Sequence, residues 1–247
     1  MIKLKTNSEI ELIRKSSKIL KEAHSIIKDN IRPGITTNEL NKIVEDFIVS
    51  KEAKPSFKGY QGFPASICAS RNEQVVHGIP NDEPLQEGDI LSVDIGVYKD
   101  GYHSDAARTY PVGEISDDLK NLITTAEQAF YEGLKNIKIG NTIGDISHNI
   151  QKYIESKGYG IVKVLVGHGI GQELHEDPAV PNYGSKSTGE KIQEGLVLAI
   201  EPMINLGTGS VEFKSDGWTC VTKDGKPSAH YENTVVFTNK GVEILTG

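Results

Sequence analysis

The sequence predicts an α+β fold: one domain spanning residues 1–247, built of two related halves, roughly 1–112 and 113–247. Three observations predict it. Four amphipathic helical patterns are interspersed with β-branched segments. No low-complexity or Pro/Gly/Ser-rich linker interrupts the chain. Two stretches repeat at nearly the same spacing.

The first helix carries Ile10, Ile13, Leu20 and Ile27 at helical spacing and ends before Pro33-Gly34. Thr6 with Glu9, or Ser8 with Glu11, supplies its capping box. The second starts at Thr36 or Thr37, with Glu39 placed to close a box from Thr36. Its apolar stripe is Leu40, Ile43, Val44, Phe47 and Ile48. The third begins near Ser116 and runs through Leu122, Ala126, Ala129, Phe130 and Leu134. The fourth starts at Thr142, boxed by Asp145, with Ile146, Ile150, Tyr153 and Ile154. Strands are expected over 89–98, 102–110, 196–203 and 230–237, with further candidates at 57–69, 161–166 and 209–222.

The repeat organises these elements. Residues 31–51 match 137–157 at an offset of 106, so that Thr36 meets Thr142 and Glu39 meets Asp145. LQEGDILSVD (85–94) matches IQEGLVLAIE (192–201) at an offset of 107, which places Asp94 opposite Glu201. HGIP at His77 resembles HGIG at His168, and His103-Ser104-Asp105 resembles His230-Tyr231-Glu232. Such a period is far too long for a solenoid. It points to two αβ halves about a pseudo-twofold axis, with the carboxylates converging near that axis.

Composition narrows the function. Against 34 Asp and Glu stand 27 Lys and Arg, a formal charge of −7, which argues against a general nucleic-acid binder. Hydrophobic content of 37% with 25% charged residues fits a folded chain. No stretch approaches the roughly 20 apolar residues of a membrane span. The first fifteen residues lack an apolar signal core, and Cys68 and Cys220 are too few for a disulfide framework. A cytoplasmic monomer is expected, with no DNA or membrane partner. Arg14, Lys15, Lys18 and Lys21 on the first helix read first as a solvated face, and second as a transient ribosome contact.

Asp94 interrupts an apolar strand between Val93 and Ile95, where a charge is costly unless paired or ligating. Glu201 repeats the anomaly, and Asp105 and Glu232 bring the number of strand acids to four. Arg108 is the only cation within these strand cores, so the acids need another counter-charge. Divalent metal supplies one, and carboxylates with imidazole suit Mn, Fe, Co or Zn. His168, between glycines, is placed as a ligand. His77 and His175 read as ligands, proton donors or oxyanion stabilisers. His24 and His148 lie on helices without such a context, while His103 and His230 read as supports behind the ligands.

The motifs NEQVVHGIP (72–80), VDIGVYKDGYHSDAARTY (93–110), GHGIGQELHEDP (167–178), AIEPM (199–203), DGWTC (216–220) and AHYENTVV (229–236) together resemble the type I methionine aminopeptidases of the pita-bread metallopeptidase family. The resemblance covers essentially the whole chain. It implies the pita-bread fold, a curved antiparallel sheet covered by helices. It also implies removal of an N-terminal methionine from nascent chains when the second residue is small. Carried over, Asp105 and Glu232 bridge two divalent ions (Co, Mn, Fe or Zn). Asp94 chelates one, and His168 and Glu201 hold the other. Glu201 is then also the general base, and His77 and His175 are the catalytic, substrate-contacting histidines. Phe57, Tyr60, Phe63, Cys68 and Trp218 match the methionine pocket. Leu174 departs from the aromatic that many relatives carry there. A prolidase or aminopeptidase P reading expects a large N-terminal domain, for which the 76 residues before His77 leave no room. A type II enzyme expects an insertion between His168 and Glu201 that is missing here, and a non-catalytic binding protein of this fold expects lost ligands. Since Ile2 is large, Met1 is expected to be retained.

Overall fold

The capping chemistry read from the sequence sets the helices. In a computed structural model describing residues 1–247, α1 (Asn7–Asn30) opens on a complete Thr6/Glu9 box, which decides between the two candidates. Its predicted stripe of Ile10, Ile13, Leu20 and Ile27 is buried. α2 (Thr37–Ser50) opens on the Thr36/Glu39 box. α3 (Asp117–Leu134) is capped by the Ser116 hydroxyl, which accepts from Leu119 N–H. α4 (Ile143–Ser156) opens on the Thr142/Asp145 box. Each box satisfies amide groups that have no partner inside the helix. Gly133 lets α3 and α4 approach, because a Cβ there would sit 2.6 Å from Ile150 Cγ1.

The repeat is structural. α2 and α4 begin and end at residues separated by 106 positions. Thr36 bridges Pro84, and Thr142 bridges Lys191. The turns before them match as well, since Gly34 N–H donates to Leu85 O and Gly140 N–H to Ile192 O. Both glycines have positive φ, 89° and 94°, which favours a residue without a Cβ.

Two antiparallel sheets carry the site. In the first, Ile90–Lys99 lies between Ile67–Arg71 and Tyr102–Pro111, with Lys54–Pro55 continuing the first edge. In the second, five strands run in the order Gly241–Ile244, Asn233–Thr238, Val197–Ile200, Gly167–Gly169, Glu176–Val180. α1 and α2 cover the first sheet through Leu20, Ile27, Leu40, Val44 and Ile95. α3 and α4 cover the second through Phe130, Ile146, Ile150, Leu198 and Ile200. A third apolar cluster, including Ile13, Phe63, Cys68, Ile170 and Val236, draws on both halves.

The halves are joined by two reciprocal threonine clamps. Thr234 Oγ1 accepts from Asp105 N–H and donates to Asp105 O. Thr109 Oγ1 accepts from His230 N–H and donates to His230 O. Glu232 N–H donates to Ala107 O between them. These bonds place Asp105 beside Glu232 without help from any ion.

Several sequence expectations are corrected. The 196–203 strand breaks at Glu201-Pro202, and the 230–237 strand breaks at Tyr231-Glu232. Glu201 and Glu232 therefore sit one residue outside strands, whereas Asp94 and Asp105 lie within them. The 57–69 segment is strand only from Ile67, and Tyr60–Gly62 is a short 3-10 turn. The 161–166 segment is strand only at Gly160–Ile161, and 209–222 forms two strands, Val211–Phe213 and Cys220–Thr222. The His-Gly-Ile turns are not equivalent. His168 pairs with Ala199, whose repeat counterpart Ser92 pairs with Ser70. Ser70, not His77, occupies the matching position. On α1, Arg14 pairs with Glu11 and Glu243, and Lys15 pairs with Asp100.

Candidate metal centre

Asp94 and Asp105 share a face of the first sheet. Asp94 lies opposite Ala107 and Asp105 opposite Gly96, so the two acids are diagonal neighbours. Gly96 has no room for a side chain, since a Cβ would sit 2.8 Å from Phe57 Cε1. His168 reaches the same point from the second sheet. Gly167 and Gly169 flank it because their backbones press on Ala199 O and Asp177 O, where a Cβ would collide. Glu201 is delivered by the strand end before Pro202, and its carbonyl accepts from Asn182 Nδ2 at 2.9 Å.

The four acids and His168 converge. Donor atoms of Asp105, His168 and Glu232 lie within 4.8 Å of one another. His168 Nε2 is 3.9 Å from both Asp105 Oδ2 and Glu201 Oε1. Asp105 and Glu232 are almost wholly buried, and Asp94 Oδ1 and Asp105 Oδ1 have no hydrogen-bond partner. Arg108 does not neutralise them. Its guanidinium is spent on the carbonyls of Ala107, Glu232 and Thr246, on Asn233 Oδ1, and on the Tyr231 ring.

Burial raises every carboxylate. It pushes Asp94 up to about 7 and Glu201 to about 8, with the neighbouring Glu201 charge adding to the rise at Asp94. Asp105 and Glu232 are carried well above the carboxylate range by burial and by the other acids. His168 is pushed down to about 3, so its ring stays neutral. Its Nδ1 is 2.8 Å from Gly169 O, which holds the proton on that nitrogen. The Nε2 lone pair then faces carboxylate oxygens. That arrangement is repulsive alone and attractive around a cation. Orphaned oxygens, missing cations and a lone pair aimed at acids fit a divalent ion.

All twelve residues expected at the site line one cavity of about 160 Å³. Phe57, Tyr60, Phe63, Cys68, Leu174 and Trp218 form its apolar wall. Phe63 meets Trp218 edge-on at 5.2 Å, and the His77 ring stands edge-on to Trp218 at 6.4 Å. His175 sits at the mouth, its Nδ1 bonded to Tyr60 Oη at 2.8 Å and its ring 4.3 Å from His168. Burial pushes His77 down to about 4. Cys68 lies opposite Asp94, and burial with the nearby acids pushes its thiol up, away from reactivity.

Of the two supporting histidines, only His230 is at the cluster, with Nε2 3.4 Å from Glu201 Oε2. His103 instead bonds Ser56 Oγ. Helix-borne His24 is buried between Tyr110 Oη and Ala106 O, away from the cavity. Sequence reasoning missed Gln61 and Asn182. Gln61 enters the wall because it adopts φ 48°, and a polar residue between glycine-flanked aromatics was the only signal.

Residues 11–239 match the model of metallopeptidase family M24. The chain is 52% identical to a methionine aminopeptidase of Clostridium perfringens, over 100% of this chain and 99% of that one. The chain belongs to the type I methionine aminopeptidases of family M24. Methionine aminopeptidase 1 of Bacillus subtilis is 49% identical over 246 residues. The solved methionine aminopeptidase of Rickettsia prowazekii superposes with a TM-score of 0.98 at 41% identity, each chain fully covered. A prolidase of Pyrococcus furiosus shares the pita-bread fold at a TM-score of 0.81 and 25% identity, with 65% of that longer chain covered. Membership of this metallopeptidase family carries the use of divalent metal, and the buried Asp, His and Glu cluster is where the chain has donors for it.

Proposed function

We propose that the chain hydrolyses the first peptide bond of nascent proteins and peptides that begin with methionine and have a small second residue. It works as a cytoplasmic monomer. Asp94, Asp105, His168, Glu201 and Glu232 would hold two divalent ions. Co, Mn, Fe and Zn all suit this donor set. Ions held there supply a Lewis acid for the scissile carbonyl and acidify water.

The residues do the rest. Glu201, delivered to the cluster by the strand end before Pro202, accepts the proton of the attacking water. His175 has Nδ1 committed to Tyr60, which leaves Nε2 for the carbonyl oxygen or the amide of the substrate. His77, which lines the cavity edge-on to Trp218, orients the substrate or hands a proton to the leaving amine. Phe57, Tyr60, Phe63, Cys68, Leu174 and Trp218 enclose the unbranched methionine side chain in a narrow apolar wall.

The observation that carries this reading is one cavity holding both an acidic cluster without cations and an apolar wall. Hydrolysis of Met-Ala-Ser, Met-Leu-Ser and Ala-Ala-Ser, with each metal returned to metal-free protein, tests it. Only Met-Ala-Ser is cleaved efficiently. Equal cleavage of Ala-Ala-Ser rejects methionine specificity, and equal cleavage of Met-Leu-Ser rejects the size limit.

A further inference from the structure

Lys5 and Glu176 form a buried ion pair outside the cavity. Lys5 Nζ lies 2.5 Å from Glu176 Oε2, and both side chains are only 4% exposed. A buried ion pair adds little net stability over a well-packed apolar pair, because desolvation offsets the attraction. Its value must be sought in the geometry it imposes.

That geometry is specific. Glu176 directly follows His175, and its other oxygen, Oε1, accepts from Glu173 N–H at 3.3 Å. The carboxylate therefore closes the short loop from Glu173 to Glu176, with His175 inside it. Lys5 holds the carboxylate from the far side and also donates to Lys3 O at 2.7 Å. The Lys5 stem lies across Gly171, where any Cβ would collide with it. Gly171 O in turn accepts from His103 N–H on the first sheet. The Lys5 backbone is anchored independently, its N–H donating to Gly195 O at 2.7 Å in the turn before the strand that delivers Glu201. A second contact runs parallel, from the Met1 ammonium to Asp177 Oδ2 at 2.5 Å. That pair is exposed and contributes little.

We propose that residues 1–5 act as a strap, and that Lys5 is a positioning residue for His175, acting through Glu176. The strap ties the turn before Glu201 to the loop of His175, so proton acceptor and oxyanion donor keep a fixed separation. The proposal rests on the role given to His175 above.

A double-mutant cycle on the metal-loaded full chain tests it, with Met-Ala-Ser as substrate. Lys5→Met lowers kcat about tenfold or more, since small misplacement of a catalytic group is costly. In a His175→Ala background the same change costs less than about twofold, because the group being positioned is gone. An equal loss in both backgrounds, or no loss with His175 present, overturns the proposal. Full activity of His175→Ala alone instead overturns the role of His175, and the strap with it. If Lys5→Met does not fold, the paired change Lys5→Met with Glu176→Leu removes both charges and restores a packed, neutral contact. It keeps the thermal midpoint and the bound metal, yet shows the same loss of kcat with KM little changed. Full kcat in that paired variant overturns the proposal.

Discussion

His230 Nε2 lies 3.4 Å from Glu201 Oε2, with both side chains largely buried. The His230 backbone is clamped at both ends by Thr109, and its Nε2 has no hydrogen-bond partner. Its place is to steady Glu201 from behind while Oε1 faces His168. His230→Ala is expected to weaken metal binding about 10–100-fold, the usual effect of losing a ligand's support. Calorimetric titration of metal-free protein checks this, and unchanged affinity would remove His230 from the site.

Asp105 is placed by Thr234, whose hydroxyl both accepts from and donates to its backbone. Thr234→Val keeps the shape but leaves both groups unpaired. It is expected to cost about 1–3 kcal/mol in a urea unfolding experiment. Metal affinity should fall with it, because the same bonds set the distance from Asp105 to Glu232.

The pH dependence of the metal-free protein follows from opposing groups. Asp94 and Glu201 titrate near 7 and 8 when folded, against ordinary values of 3.8 and 4.5. A raised carboxylate contributes stability at low pH that is lost as pH climbs through the folded value. His24, His77, His103, His168 and His230 are pushed down to about 3 or 4, so unfolding would protonate them below about 6.5. They cost stability in acid and nothing above pH 7. Stability of the metal-free protein should therefore peak at about pH 6.5 and fall above it, where the raised acids, Asp105 and Glu232 included, still hold protons that the unfolded chain has released. Divalent metal should abolish the upper limb. Thermal midpoints across pH, with and without metal, decide it.

His175 stands at the cavity mouth, bonded to Tyr60 rather than to any acid. His175→Ala is expected to lower kcat about 10²-fold or more, as loss of an oxyanion donor does, with metal content intact. Loss of metal would make it a ligand instead.

Much of this site is legible in the sequence. Asp94 stood out because a charge between Val93 and Ile95 demands an explanation. The offset repeat then identified Glu201 as its counterpart, and both line the cavity. The helix starts at Thr36 and Thr142 were equally plain, because a threonine three residues before an acid has one common use. What the sequence hid was local backbone geometry. Pro202 lacks an N–H and cannot continue the ladder, so the strand stops at Ile200 and Glu201 turns into the cavity. The likeness of His77 and His168 misled because three shared letters do not carry strand register. The Lys5–Glu176 pair joins residues 171 positions apart, and no periodicity reports such a contact.

The central claim is that five side chains from two repeated halves hold the divalent ions on which methionine removal depends. Measuring bound metal and Met-Ala-Ser turnover in Asp105→Ala beside the unaltered chain, under metal-limited conditions, tests it most directly. The account predicts two ions and rapid turnover for the unaltered chain, and loss of both in the variant. Full turnover by Asp105→Ala would contradict it.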